Sequence, residues 1–385
     1  MGDQVLAPTL ASGPAQPDGS RRAHSRRAHS RLLGVLCLAG GLLTAMPPAA
    51  AHAAEAPGIT LALPSAADVV ATNRRVFVSG GQNSTAVAVT DAEGAAVTTL
   101  ENLAGPTDLL LSQDRRTVFV ALHGSGAVAA FDTRSLREVA RYDTGTSCLN
   151  SLAQSGRWLW FGYGCATDSE NNVGRIDLRA TPGTTPAAPR LAMVEEPYQA
   201  LFSPPLLATP AQNPNVLIVG DGLLSPSPLF AYSIGADGTL TLLRRSDHLS
   251  AGDSLADIAV TADGSTVFTA SASPFVLQEF PVDAMTTPTR YFRTGGNPTA
   301  VELSPDGRYV AGAVVNRTAD EVFLFNRDAT VVASYSVGTT RASVPKRALA
   351  WSPNGRRLYA VSWDYNKAEV VSPAPTLHVL RPNVS

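Results

Sequence analysis

Lysine is nearly absent from this chain: Lys346 and Lys367 are the only two. Beyond residue 53 there are 25 basic residues against 30 acidic ones, a net charge of about −5. Aromatic residues make up 6% of the sequence and are seldom interleaved with positive charge. Phosphate backbones are held by clustered Lys and Arg, so this composition excludes a nucleic-acid partner. Catalytic signatures are missing as well, since no HExxH, GxSxG or phosphate-loop pattern occurs. No amphipathic helix of three or more turns can be traced after residue 53, which leaves an all-β chain.

The first fifty residues differ from the rest. Residues 21–31 carry five arginines and no acid, Leu32 to Ala45 form an apolar run, and Ala51-His52-Ala53 follows a Pro47–Pro48 pair. A basic segment, a short apolar core and an Ala-x-Ala exit are the layout of a secretory signal peptide. The expectation is a leader over 1–53 and one domain over 54–385. The apolar run is shorter than the roughly 20 residues a spanning helix needs, so no transmembrane segment is expected in the mature chain. Ser25-Arg26-Arg27 resembles the start of a twin-arginine signal, but Ala28, His29 and Ser30 follow it rather than apolar residues. Cys37 sits within the leader's apolar run.

A repeat fills the remainder. Its anchor is a polar turn between two short strands: Thr72-Asn73-Arg74, Ser112-Gln113-Asp114, Ala153-Gln154-Ser155-Gly156, Thr261-Ala262-Asp263-Gly264, Ser304-Pro305-Asp306-Gly307 and Ser352-Pro353-Asn354-Gly355. A seventh, degraded copy runs from Thr209 to Pro214. Asp, Asn, Pro and Gly dominate these positions because they accept turn dihedrals and satisfy loose backbone groups. Around each anchor lie short strands rich in β-branched and aromatic residues, with turn signals every 8–12 residues. Seven such units predict a seven-bladed β-propeller with four-stranded antiparallel blades. The last unit supplies strands at Ala348 to Ser352, Arg357 to Ser362 and Thr376 to Leu380, then lacks a fourth. A spare strand at Ile59 to Leu63 is expected to complete it and close the ring.

Candidate chemistry is thin. His123, His248 and His378 fall in different repeats and at different strand levels. Asp68, Asp108 and Asp257 each stand four residues before a turn anchor, at the start of a first strand. Three carboxylates at one channel mouth are a weak metal candidate for Ca²⁺ through oxygen ligands; the other reading is that each bonds backbone N–H groups of its own blade. No other cofactor is expected. Trp158, Trp160, Phe161 and Tyr163 share one strand, whose alternation puts the two tryptophans on one face and Phe161 and Tyr163 on the other. They either pack between blades or, through Trp158, Trp160 and Tyr163, offer a stacking platform to a sugar or peptide. The acidic stretch Asp168-Ser169-Glu170-Asn171-Asn172 rims the same region.

Cys148 and Cys165 are the two cysteines left after the leader, and an even number in an exported chain invites pairing. Counting outward from the turn at 153–156, Cys148 faces about residue 161. A bend near Gly162 and Gly164 is needed to bring Cys165 within disulfide reach.

The phrase carried by residues 106–145 and 298–338, and by Ser352-Pro353-Asn354-Gly355-Arg356-Arg357-Leu358-Tyr359-Ala360, resembles the YVTN/YncE-like propeller repeats of secreted bacterial proteins. Residues Leu229 to Leu240 look like a blade of the lactonase-type seven-bladed propellers. The resemblance implies a WD40-like repeat architecture and leaves activity open, because such propellers host enzymes and binding proteins alike. The expectation is a monomeric, secreted, non-catalytic propeller that binds an extracytoplasmic protein, glycan or envelope component. The alternative is a lactonase- or lyase-like enzyme with its site at the channel mouth.

Overall fold

The computed structural model describes residues 51–52, 57–165, 171–182, 201–222, 224–246, 251–315, 320–338, 342–364 and 374–383. The seven-bladed, all-β propeller is what it shows. Blade 1 is built from Asp68–Ala71, Arg75–Ser79, Val87–Asp91 and Ala96–Leu100, each antiparallel to the next. Blade 2 uses Pro106–Leu111, Thr117–Leu122, Ala127–Asp132 and Glu138–Asp143. Blade 3 places Leu149–Ser155, Trp158–Tyr163 and Asn172–Asp177 among the described residues. Blades 4, 5 and 6 start with the inner strands Leu206–Ala208, Asp253–Val260 and Asn297–Leu303. Blade 7 starts with Leu349–Trp351. Each inner strand contacts that of the following blade, and Leu349–Trp351 returns to contact Asp68–Ala71, so the ring closes.

Burial follows from this radial stacking. A middle strand has a neighbouring blade on both faces, and Trp158–Tyr163 is accordingly buried at all six positions. An outer strand meets solvent, so Glu138–Asp143 is mostly exposed. Apolar clusters fill the gaps between adjacent blades, one joining blades 1 and 2, another blades 2 and 3, and so on round the ring. The cluster that joins blades 6, 7 and 1 also takes in Leu61 and Leu63.

Six of the seven turn anchors sit where the sequence places them; in blade 3 the strand runs on through Ala153 to Ser155 and reverses at Gly156-Arg157. In blade 6 Ser304 Oγ donates to Asp306 Oδ1 at 2.6 Å and accepts from Tyr309 N–H at 2.9 Å. Gly307 closes that turn with φ +71°, a region that costs a Cβ-bearing residue steric strain. Ser112 with Thr117, Thr261 with Thr266 and Ser352 with Arg357 repeat the hydroxyl-to-N–H bond at 2.9 to 3.1 Å.

Ring closure by an N-terminal strand also appears, with a shift in range. The strand is Gly58–Thr60, antiparallel to Thr376–Leu380, with Gly58 opposite His378 and Thr60 opposite Thr376. Leu61 then bonds Pro375 O through its N–H, and the chain turns Leu61 and Leu63 into the core. Their hydrophobicity, which suggests a longer strand in sequence, is spent on packing. Ala51–His52 pairs parallel with the outer strand of blade 6, Val331–Tyr335. Residues 1–50, with Cys37 and the rest of the expected leader, lie outside the described residues, as do His248, Lys367 and residues 168–170. Among the described residues no helix is long and apolar enough to cross a membrane.

Candidate functional site at the channel mouth

The seven inner strands begin at one end of the central channel and finish at the turn anchors at the other. Four of them carry a bulge near their start, at Thr107, Asn150, Ala256 and Thr299. A bulge adds one residue against the partner strand and re-aims its side chain. All four bulged residues line a cavity of about 720 Å³ at that end.

Just below the mouth the three aspartates bridge blades. Asp68 Oδ1 accepts from Val69 N–H at 2.8 Å, and its Oδ2 accepts from Leu109 N–H of blade 2 at 2.7 Å. Asp257 repeats this with Ile258 N–H and with Val301 N–H of blade 6, both at 2.9 Å. Asp108 Oδ2 accepts from Leu152 N–H of blade 3 at 2.6 Å. The expectation of a bond to the aspartate's own blade covers half of this arrangement; the bond to the next blade is the other half. In blade 3 the matching position is Ser151, whose hydroxyl donates to Pro205 O at 2.5 Å.

A cation meets these carboxylates, at a position that the repeat pattern does not single out. Arg347, at the entry to blade 7, donates from Nη1 to Asp108 Oδ1 at 2.6 Å. Its Nη2 donates to Asn150 O at 3.1 Å and Thr107 O at 3.3 Å. Arg347 itself has φ +61°, and its N–H bonds Thr299 O. The residue therefore ties blade 7 to blades 2, 3 and 6 across the channel.

The electrostatics are those of buried charge. Burial pushes the Asp68 carboxyl well above its ordinary range, and repulsion from Asp108 adds to it. Burial raises Asp257 to about 7, against the opposing pull of Val301 N–H and Arg347. Glu302, one strand position beyond the bridge, is raised to about 8 by burial and by Asp257. Asp108 is the carboxylate paired with Arg347. The weak Ca²⁺ reading of Asp68, Asp108 and Asp257 meets a physical obstacle here, because their oxygens are engaged by N–H groups and a guanidinium. Among the described residues no three His, Cys, Asp or Glu side chains gather as a metal set.

The other singled-out residues are placed as follows. Trp158 and Trp160 are buried between blades 3 and 4, and Tyr163 with Phe161 between blades 2 and 3. The alternation read from sequence is therefore correct, and the rings lie within the inter-blade packing. Arg157 and Arg175 flank the Trp158 ring at 4.3 and 5.0 Å. Asn171 is buried and donates to Leu201 O at 3.2 Å, while Asn172 opens a strand. His378 is buried against Ser362, 2.8 Å from its hydroxyl. His123 lines the mouth, and its buried Nδ1 has no hydrogen-bond partner among the described residues.

Cys148 and Cys165 form a disulfide with a Cα separation of 5.3 Å. The register differs from the sequence count. Leu149, not Cys148, begins the strand, and it pairs with Tyr163 because of the bulge at Asn150. Gly164, at φ +133°, then bonds Cys148 O, which sets Cys165 beside its partner. Cys165 is part of the mouth wall.

No family model matches the chain, and no curated protein matches it in sequence. Among solved structures, a chain from the crystal structure of a mitotic checkpoint complex superposes with a TM-score of 0.62 at 15% identity. That match covers 92% of this chain and 99% of the other. At that identity it establishes the shared propeller fold.

Proposed function

We propose that the protein is an exported binding propeller that holds an extracytoplasmic protein or glycan at its channel mouth. The observation that carries this is the open cavity of about 720 Å³, lined by Lys346, His123 and Asn150, whose side chains make no hydrogen bond among the described residues. The volume falls within the roughly 300–1,000 Å³ typical of ligand pockets. Residues 1–53 read as a leader removed on export. A disulfide between Cys148 and Cys165 fits an oxidising compartment. The repeat phrase resembles the YVTN/YncE-like propellers, and a structural neighbour is a chain of a mitotic checkpoint complex, so a protein ligand is compatible with the fold.

The test is capture from the extracytoplasmic fraction with the immobilised protein and with a Val315→Glu variant, whose exposed mouth residue becomes a charge. Retention of one defined protein or glycan by the parent and its loss from the variant supports the reading. Equal retention by both places the ligand elsewhere. Turnover of a lactone panel, abolished in the same variant, would favour the enzymatic alternative. N-terminal sequencing of secreted material should find a chain starting at Ala54; one starting at Met1 would overturn export by this leader.

A further inference from the structure

The charge at the two ends of the channel differs. The protein has an excess of acid, yet none of the described residues lining the mouth is Asp or Glu. The opposite end is lined by Glu302 and Asp306 together with Arg115, so acids are found among the described lining residues only there. At the mouth stand Lys346 and Arg347 together, neighbours in sequence and both on the cavity wall. Lys346 is the only lysine in the described part of the chain; its side chain reaches solvent, although partial burial of its stem and the neighbouring Arg347 lower its ammonium pKa, and it makes no hydrogen bond or ion pair among the described residues. A chain that otherwise avoids lysine has placed one beside a buried arginine. The rest of the wall is mainly apolar, with Leu206, Leu255, Val315 and Trp363.

The carboxylates below the mouth do not cancel this charge. Asp108 is neutralised by Arg347 at 2.6 Å. Asp68 and Asp257 are shifted toward their neutral forms by burial and turn both oxygens to backbone N–H groups. Among the described residues the mouth is left with one uncompensated charge, that of Lys346, beside neutral polar groups that include the Asn150 amide, the Gln82 amide and the His123 ring.

We propose that the mouth is a binding site for an organic carboxylate carried on an apolar body, with Lys346 as its principal contact. This rests on the reading of the mouth as the ligand site. The carboxylate would take the ammonium and the neighbouring amide donors, and the apolar body would cover the leucine, valine and tryptophan wall. A charge-assisted hydrogen bond is stronger and more selective than a neutral one, so the acid is distinguished from its amide. Two sources share this chemistry: the C-terminal carboxylate of an apolar peptide, and a free aliphatic acid.

The experiment is titration calorimetry on the purified protein with N-acetyl-Leu-Phe as the free acid, the same dipeptide as its C-terminal amide, and decanoate. Either acid is expected to bind, with the amide weaker by about tenfold or more. Binding by the dipeptide alone assigns chain ends, and binding by decanoate alone assigns aliphatic acids. Lys346→Gln should weaken the acid by about tenfold, and Lys346→Glu should abolish it. Lys346 is exposed, so both variants are expected to melt as the parent does. Equal binding of acid and amide would overturn the carboxylate assignment while leaving a mouth ligand intact. Acid binding unchanged in Lys346→Glu, or no binding of either acid, would overturn the site. The capture experiment with Val315→Glu decides the broader reading separately.

Discussion

Arg347 and Asp108 lie 239 residues apart in sequence and 2.6 Å apart in space, joined across the channel from blade 7 to blade 2. Both side chains are largely buried, so the pair cannot be opened without leaving a charge inside the ring. Replacing Arg347 with Met strands the Asp108 carboxylate and frees two backbone carbonyls. Loss of one partner of a buried pair costs about 3–5 kcal/mol. Urea unfolding should show this loss for Arg347→Met. The double variant Asp108→Asn/Arg347→Met should be less destabilised than Arg347→Met alone, because the stranded charge is gone. Two equally unstable variants would show that the ion pair is not what matters.

Stability should also depend on pH in a definite direction. Glu302 and Asp257 sit at about 8 and about 7 in the folded ring, above their ordinary carboxylate values of 4.5 and 3.8. The folded state therefore binds more protons than the unfolded chain across that span, so stability falls as pH rises through it. Asp263 and Asp306 act in the opposite sense. Their turn hydrogen bonds hold them at about 2, which contributes stability above their ordinary range that is lost as acid approaches pH 2. Melting temperature should peak at about pH 4–5 and decline toward pH 8. Glu302→Gln should flatten the alkaline arm. A melting curve that rises steadily from pH 5 to 8 would contradict the assignment.

The Cys148–Cys165 bond closes a loop of 17 residues. Chain entropy alone gives about 3 kcal/mol for a loop of this length. Less is expected here, since the hairpin and the Gly164-to-Cys148 backbone bond already hold the ends together. Reduction should lower the melting temperature by a few degrees without unfolding the ring. Alkylation of unreduced, denatured protein should leave both residues unmodified. Two labelled cysteines before reduction would rule the bond out.

Deleting residues 57–63 removes the strand that completes blade 7 and two leucines that are each 4% exposed. A smaller change isolates the packing part. Leu61→Ala and Leu63→Ala should each cost about 2–4 kcal/mol, whereas Val97→Ala, on an exposed outer strand, should stay within about 0.5 kcal/mol. Similar losses at all three positions would show that the N-terminal segment is not anchored in the core.

Much of the fold is legible in sequence because a propeller repeats one local solution. Ser304, Thr261, Ser112 and Ser352 each make the same bond to the N–H that opens the next strand, so a few turn residues betray the blade count. The facing of Trp160 and Phe161 follows from strand alternation for the same local reason. Arg347 is not legible, because it occupies a position where no other blade has a charged donor and its partners belong to other repeats. Asp68 and Asp257 were visible as a recurring position, but their second oxygens serve the next blade, which one-repeat reasoning does not reach. The register that brings Cys165 to Cys148 follows from where the chain reverses: Ser155 pairs with Trp158 around Gly156-Arg157, two residues later than a turn at 153–156 would place it, and such a shift is silent in a hydrophobic pattern.

The pairing of Gly58–Thr60 with Thr376–Leu380 fixes an order of events during synthesis. Blades 1 to 6 can each form from contiguous sequence as it emerges, but blade 7 needs one strand made early and another made at the close. Until Thr376–Leu380 is translated, Gly58–Thr60 has no partner and blade 7 is incomplete, although its inner strand Leu349–Trp351 is already available to blade 1. Bringing such distant segments together carries the largest loop-closure entropy in the molecule, so the final seal is the step most exposed to competition from aggregation. A ribosome paused before residue 376 would hold a seventh blade with unpaired strand edges, open to the cell's chaperones.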